Sequence, residues 1–216
     1  MGACPDAITP ARVLTEAGLA ERHAPGVYDK MKNGRVAVAG LGGLGSNAAV
    51  MLARMGVGSL LLVDYDVVEP HNLNRQHYAI AHLYMKKTAA LECQIHAINP
   101  FVHVETRDIR VIPGNAPDVF AGYPIVIEAF DDPSDKASLV EALLAKGGFT
   151  VIAASGMAGL GGANGIVTRR LSANLYVCGD FTSEADAATG VMAPRVSICA
   201  GHQANAAVRL ILGMES

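Results

Sequence analysis

The side chains in this chain best suited to handling a nucleotide are Asp64, Asn72, Arg75, Lys86 and Asp131, and they follow a glycine turn that could receive its phosphates. In the turn, GLGGLGS, Gly40, Gly42 and Gly45 fit G-x-G-x-x-G, with Gly43 as an extra glycine. Glycines permit the tight turn and let the backbone approach a phosphate. The free N–H groups and dipole of the helix that follows favour negative charge. Asp64 lies 19 residues beyond Gly45 at the end of an apolar run, where an acid bonds ribose hydroxyls. Asp66 completes the same VDYD segment. On these features alone, NAD would lead among nucleotides.

The loop HNLNRQ changes that ranking. Arg75 can neutralise phosphate charge, and Asn72 can donate to a phosphate or leaving group, with Gln76 beside them. Lys86 and Lys87 then open a helix, a poor place for a cation unless a phosphate is near. Asp131, in FDD after another apolar run, is suited to holding Mg²⁺ against phosphates. Plainer readings exist: a turn used only for packing, a solvated helix end at Lys86 and Lys87, a helix cap at Asp131. Asp132, directly before Pro133, is the better cap and leaves Asp131 free.

Alternating elements must position these residues. The pattern predicts strands over 35–39, 59–64, 102–106, 123–129, 149–154 and 166–170. It predicts helices over 10–22, 44–55, 85–98, 115–121, 133–146 and 196–212. Residues 22–34 read as a connector, 65–83 as a long polar loop, 155–165 as a loose glycine-rich loop and 172–194 as irregular. Strands that are near-continuous apolar runs, separated by helices, give an α/β, Rossmann-like, mostly parallel sheet with helices on both faces, extra C-terminal strands and a last helix. Ligands bind such sheets beyond the carboxyl ends of the strands. Gly40–Gly45, Asp64, Asp131 and Ser155 all fall there.

The 216 residues, 51% hydrophobic, suffice for one substantial core. Residues 1–34 read as a helix and connector ahead of a single domain over 35–216. A net charge of -3 leaves no basic surplus for nucleic acid or an anionic membrane. The apolar stretch 36–63 holds six glycines and Arg54 and is not a membrane span. No basic-then-apolar leader opens the chain, so a cytoplasmic protein is expected. Cys4, Cys93, Cys178 and Cys199 form no C-x-x-C, so neither structural zinc nor a disulfide framework is expected. The seven histidines show no ligand spacing.

The succession GLGGLGS, VDYD, HNLNRQ, MKK and EAFDD resembles the ThiF/MoeB/HesA family of adenylyltransferases, relatives of ubiquitin-activating enzymes, over about residues 35–155. The short chain looks like the compact ThiF-like members of thiamine biosynthesis. The resemblance implies ATP-dependent adenylylation of the C-terminal glycine of a ubiquitin-like sulfur carrier ending in Gly-Gly, with release of pyrophosphate. It implies that Asp64 binds ribose, that Asn72, Arg75 and Lys86 contact the triphosphate, that Asp131 binds Mg²⁺ and that Gln76 supports the loop. It also implies a homodimer, with Arg22 as the candidate arginine reaching the partner's site. The chain departs from the family pattern in two ways. It lacks the paired C-x-x-C motifs, and the stretch SEADAATGVMAP holds no cysteine where some members carry one that bonds the carrier covalently. Met157, Gly159 and Gly161 are candidates for the floor under a carrier tail. Two other readings remain: an NAD-dependent oxidoreductase, and a non-catalytic carrier-binding scaffold.

Overall fold

The computed structural model describes residues 14–185 and 189–214. Seven strands form one sheet: β1 (Arg35–Ala39), β2 (Ser59–Val63), β3 (His103–Arg107), β4 (Ile125–Glu128), β5 (Thr150–Ala154), β6 (Val167–Ser172) and β7 (Leu175–Gly179). Their order is β3-β2-β1-β4-β5-β7-β6, and every neighbouring pair is parallel except antiparallel β6–β7. The helices are α1 (Glu16–Ala20), α2 (Val27–Met31), α3 (Gly43–Arg54), α4 (Lys87–Ile98), α5 (Ala116–Val119), α6 (Pro133–Lys146) and α7 (Ala193–Leu212). None of the described helices is long and apolar enough to cross a membrane.

The strand alternation builds two cores. Val36, Val38, Leu60 and Leu62 point to the side covered by α3, α4 and α7, while Ala37, Ala39, Leu61 and Val63 meet Phe120, Tyr123, Leu139 and Leu143 on the other. All eight strand residues are fully buried, which is why these strands read as unbroken apolar runs. Each large side chain so buried contributes about 1.5–3 kcal/mol. β1 lies between β2 and β4, so the chain leaves it in opposite directions on its two sides, and a crevice opens there beyond the strand ends.

Gln203, fully buried in α7, donates through Nε2 to the carbonyls of Glu128 (2.8 Å) and Ile152 (3.1 Å), tying the helix to the end of β4 and the middle of β5. The outer strand β6 carries Arg169 and Arg170 on exposed positions, and charge on an edge strand discourages further strand pairing.

Three expectations need correction. Residues 172–194 are not uniformly irregular: LYVCG forms β7, which inserts between β5 and β6 and buries Tyr176, Val177 and Cys178. The connector 22–34 contains α2, whose Met31 is fully buried. The helix expected over 10–22 is the five-residue α1 within the described residues, and 10–13 lie outside them.

Candidate active site

The glycine turn is set by close approach on two sides. Gly40 has φ +88°, and a Cβ there would stand 2.9 Å from the Ala129 carbonyl oxygen, at the end of β4. A Cβ on Gly45 would stand 1.8 Å from the Gly40 carbonyl oxygen, so α3 meets its own turn where only hydrogen fits. A Cβ on Gly42 would meet only Gln76 Nε2, at 3.8 Å, an ordinary contact. Gly42 is the N-cap of α3, with no side-chain cap and no acidic residue in the first turn. The first N–H groups of α3 are therefore left for a ligand, and anions favour such a position.

Asp64 is held at the crevice floor. Its Oδ2 accepts the Leu41 N–H at 2.7 Å and its Oδ1 accepts the Asp66 N–H at 2.8 Å. Behind it the buried Tyr78 hydroxyl donates to the Leu41 carbonyl at 2.8 Å. Burial first, and then the charges of Asp64 and Asp66, push the Tyr78 hydroxyl well above its ordinary range, so it stays a neutral donor.

The polar loop is pinned to α3. Asn47 Nδ2 donates to the carbonyls of Gly43 (2.7 Å) and Arg75 (3.0 Å), and Ser46 Oγ accepts the His77 N–H at 2.9 Å. Arg75 Nη1 donates to the His71 carbonyl and to Asn74 Oδ1, at 3.2 and 2.9 Å. It has no carboxylate partner among the described residues, so its charge faces the crevice uncancelled. Asn72 is buried at the polar end of the crevice, and its Oδ1 accepts the Glu69 N–H at 2.9 Å. Gln76 lines the crevice too, with its Oε1 buried and unpartnered.

The lysines differ from expectation. Lys86 turns away from the crevice, bonding the Tyr65 carbonyl at 3.0 Å and Asp108 at 3.1 Å. Lys87 lines the crevice instead, buried, with Nζ 2.8 Å from Asp66 and 3.9 Å from Asp64. Lys86 is the extended N-cap of α4 and Lys87 its first helical residue, so the two side chains leave in different directions. Asp66 thus serves as the partner of Lys87.

Asp131 is exposed on the opposite lip, and its Oδ1 accepts the Asp132 N–H at 3.0 Å. Asp132 caps α6, accepting from the N–H groups of Ser134 (2.8 Å) and Asp135 (3.0 Å). The Ser134 hydroxyl foremost, then those N–H groups, hold its carboxyl below the usual range. Under Asp131 the fully buried Glu128 pairs with Lys136, and burial raises the Glu128 carboxyl above its usual range despite that partner. The sequence reading named Lys87 only beside Lys86, to which it gave the triphosphate contact, and it missed the Glu128–Lys136 pair. It also missed Arg110, which lines the crevice 3.7 Å from Asp135.

Arg22 does not reach the crevice of its own chain. It is exposed after α1, which is ion-paired to α2 (Glu16–Lys32, 2.7 Å) beside the residues that enter β2 and β3, at the other end of the sheet. Near the glycine-rich loop 155–165, Arg195 is buried and donates to the carbonyls of Ala158 (3.1 Å) and Gly162 (2.9 Å) while pairing with Asp180. Desolvation works against the Asp180 charge. The N–H groups of Ser183 and Thr182 outweigh it and hold that carboxyl well below the usual range.

A model of the family described as "ThiF family" matches residues 14–216. The chain is 38% identical over 104 residues to the probable adenylyltransferase/sulfurtransferase MoeZ of Mycobacterium tuberculosis, covering 48% of this chain and 26% of that protein. It is 40% identical over 129 residues to the adenylyltransferase and sulfurtransferase UBA4 of Saccharomyces cerevisiae, covering 59% and 29%. The chain thus spans under a third of the length of these curated relatives. Among solved structures, the fold is like that of E. coli tRNA N6-threonylcarbamoyladenosine dehydratase, TcdA, in complex with ATP (TM-score 0.83, 21% identity, covering 94% of this chain and 98% of that one). It is also like that of E. coli MccB with ATP (TM-score 0.67, 20% identity, covering 88% and 60%). At those identities the likeness is one of fold.

Proposed function

The chain belongs to the ThiF family, and from that premise we propose that it uses ATP and Mg²⁺ to adenylylate the C-terminal glycine carboxylate of a ubiquitin-like sulfur carrier, releasing pyrophosphate. The observation that carries this reading is the gathering of Asp64, Arg75, Lys87 and Asp131 around the uncapped start of α3. The glycine turn and Asp64 would serve a dinucleotide as well, whereas Arg75, Lys87 and Asp131 together suit the greater charge of a triphosphate and its metal. The adenylyltransferase names of MoeZ and UBA4 support the same reaction class.

In the proposed reaction a carrier carboxylate oxygen attacks the α-phosphorus. The bond from that phosphorus to the bridging oxygen breaks, and pyrophosphate leaves with the electron pair. No protein nucleophile is required, only positioning and charge neutralisation. Asp64, whose oxygens each already accept an N–H, has lone pairs left to accept ribose hydroxyls and is fixed in place to do so. The N–H groups at the start of α3 and the cations of Arg75 and Lys87 meet the phosphate oxygens, and Asn72 and Gln76 shape the polar end. Asp66 holds Lys87 in position.

Among the described residues no three His, Cys, Asp or Glu side chains gather as a metal cage. Mg²⁺ needs none, since one or two carboxylates plus phosphates hold it. The free lip position of Asp131 fits that donor set. When bound there, the ion would supply neutralisation of charge on the phosphates.

The carrier we propose is ThiS-like and serves thiamine thiazole synthesis, a reading that rests on the motif resemblance to ThiF-type members. Arg22, exposed and remote from its own crevice, is then a residue offered to the partner in a homodimer. ATP–pyrophosphate exchange with Mg²⁺, with and without a small carrier ending in Gly-Gly, tests the proposal. Carrier-dependent exchange is the expected result. Binding of ATP without exchange by any such carrier would move the scaffold reading ahead, and binding of NAD but not ATP would favour the oxidoreductase.

A further inference from the structure

We propose that the buried Glu128–Lys136 pair is a positioning device for Asp131, fixing where its carboxylate meets the metal–nucleotide complex; the inference rests on the function proposed above. Glu128 ends β4 with no exposed surface. Its Oε1 accepts the Phe130 N–H at 2.7 Å. Lys136, one turn into α6, places Nζ 3.0 and 2.9 Å from the two Glu128 oxygens and donates to the Phe130 carbonyl at 2.9 Å. One ion pair therefore holds both backbone polar groups of Phe130. The Phe130 carbonyl belongs to the peptide plane that leads into Asp131, so fixing it fixes the direction in which Asp131 leaves the strand.

The next residue is held as well, because Asp132 is bound to the start of α6 through its cap. Asp131 lies between two anchored neighbours, and its side chain takes one local hydrogen bond. On the other flank the Ala129 carbonyl presses against Gly40, so the strand end that carries the pair also touches the phosphate turn. A charge pair is a costly way to fill a core, since apolar residues of similar volume commonly stabilise as well or better. What this pair supplies that an apolar filling would not is a pair of hydrogen bonds to the backbone beside the site.

Calorimetric titration of the full chain with ATP, with and without Mg²⁺, tests this for wild type, Lys136→Arg, Lys136→Met and the double variant Glu128→Gln/Lys136→Met. The double variant leaves no lone buried charge and keeps an acceptor for the Phe130 N–H, so it separates position from stability. Wild type and Lys136→Arg are expected to bind ATP more tightly with Mg²⁺ than without. The two methionine variants are expected to lose about tenfold or more of that gain, as loss of a ligand's supporting contacts commonly does. Their metal-free ATP affinity should be unchanged, even where the double variant melts as high as wild type. A folded double variant with the full Mg²⁺ gain would overturn the positioning role alone. Wild-type ATP binding indifferent to Mg²⁺ would overturn the metal role of Asp131, and the pair's purpose with it.

Discussion

Lys87 Nζ stands 3.9 Å from Asp64 Oδ2, each side chain 8% exposed, at the floor where the turn, the second strand and the fourth helix meet. A cation and an acid this close and this buried put a phosphate partner and a ribose partner side by side. Lys87→Met should cut carrier-dependent exchange by about 10²–10³-fold, the scale for removing one group that stabilises transition-state charge. Lys86→Ala, which loses an exposed pair with Asp108 and a hydrogen bond to the Tyr65 carbonyl, both away from the crevice, should leave the rate near wild type. The reverse ranking in a kinetic comparison of the two variants would mean that the crevice is misassigned.

Gly42 and Gly45 should respond differently to the same methyl group. Gly45→Ala drives Cβ into the Gly40 carbonyl and should cost about 3 kcal/mol or more of stability, seen as a lowered urea midpoint. Gly42→Ala meets nothing closer than 3.8 Å and should melt as wild type does, yet bind ATP more weakly. Equal urea midpoints for the two variants would contradict the packing described for the turn.

The Asp180–Arg195 pair predicts a pH signature. Despite desolvation, the Asp180 carboxyl, which also pairs with Arg195, is held below its ordinary value in the folded chain by the N–H and hydroxyl groups of Ser183 and Thr182, so its contribution is complete above the unfolded carboxylate value of about 3.9 and is lost progressively as pH falls from there through the lower folded value. Asp180→Asn leaves the Arg195 guanidinium buried and unpaired and should cost about 3 kcal/mol at pH 7. The difference from wild type should shrink on going below about pH 4. A gap of constant size across chemical melts at pH 7 and pH 3 would show that the charge contributes nothing.

Burial pushes the thiols of Cys178 and Cys199 up to about 11 and about 12, so both are protonated at neutral pH, and the thiolate is the nucleophile. Cys178→Ala and Cys199→Ala should leave ATP–pyrophosphate exchange intact. Mass spectrometry after incubation with ATP and carrier should show no thiol-sensitive conjugate at either position, and finding one would refute this reading.

Much of this architecture was legible from the residues. Full burial of β1 and β2 on both faces made them continuous apolar runs, and the steric demands at Gly40 and Gly45 left no choice but glycine. What stayed hidden turned on direction rather than composition. Lys86 and Lys87 are chemically identical, and the change from the non-helical N-cap backbone of Lys86 to the first helical residue, Lys87, decides which one faces inward. β7 was overlooked although LYVCG is apolar, because five residues between turn formers carry a weak signal. Its role as a sheet member depends on partners distant in sequence. Glu128 and Lys136 were invisible as a pair because the contact exists only once α6 folds back beside β4.

The two hydrogen bonds from Gln203 have a consequence for synthesis on the ribosome. Glu128 and Ile152 wait for a donor that is 75 and 51 residues downstream. At about 5–20 residues per second that is a delay of roughly 4–15 s for Glu128, before any time in the exit tunnel. Until α7 emerges, the β4 end that leads into Asp131 lacks its buried donor, and the nascent crevice stands on an unfinished core. ATP binding should therefore appear late in translation, once α7 has left the ribosome, rather than when the glycine turn has been made.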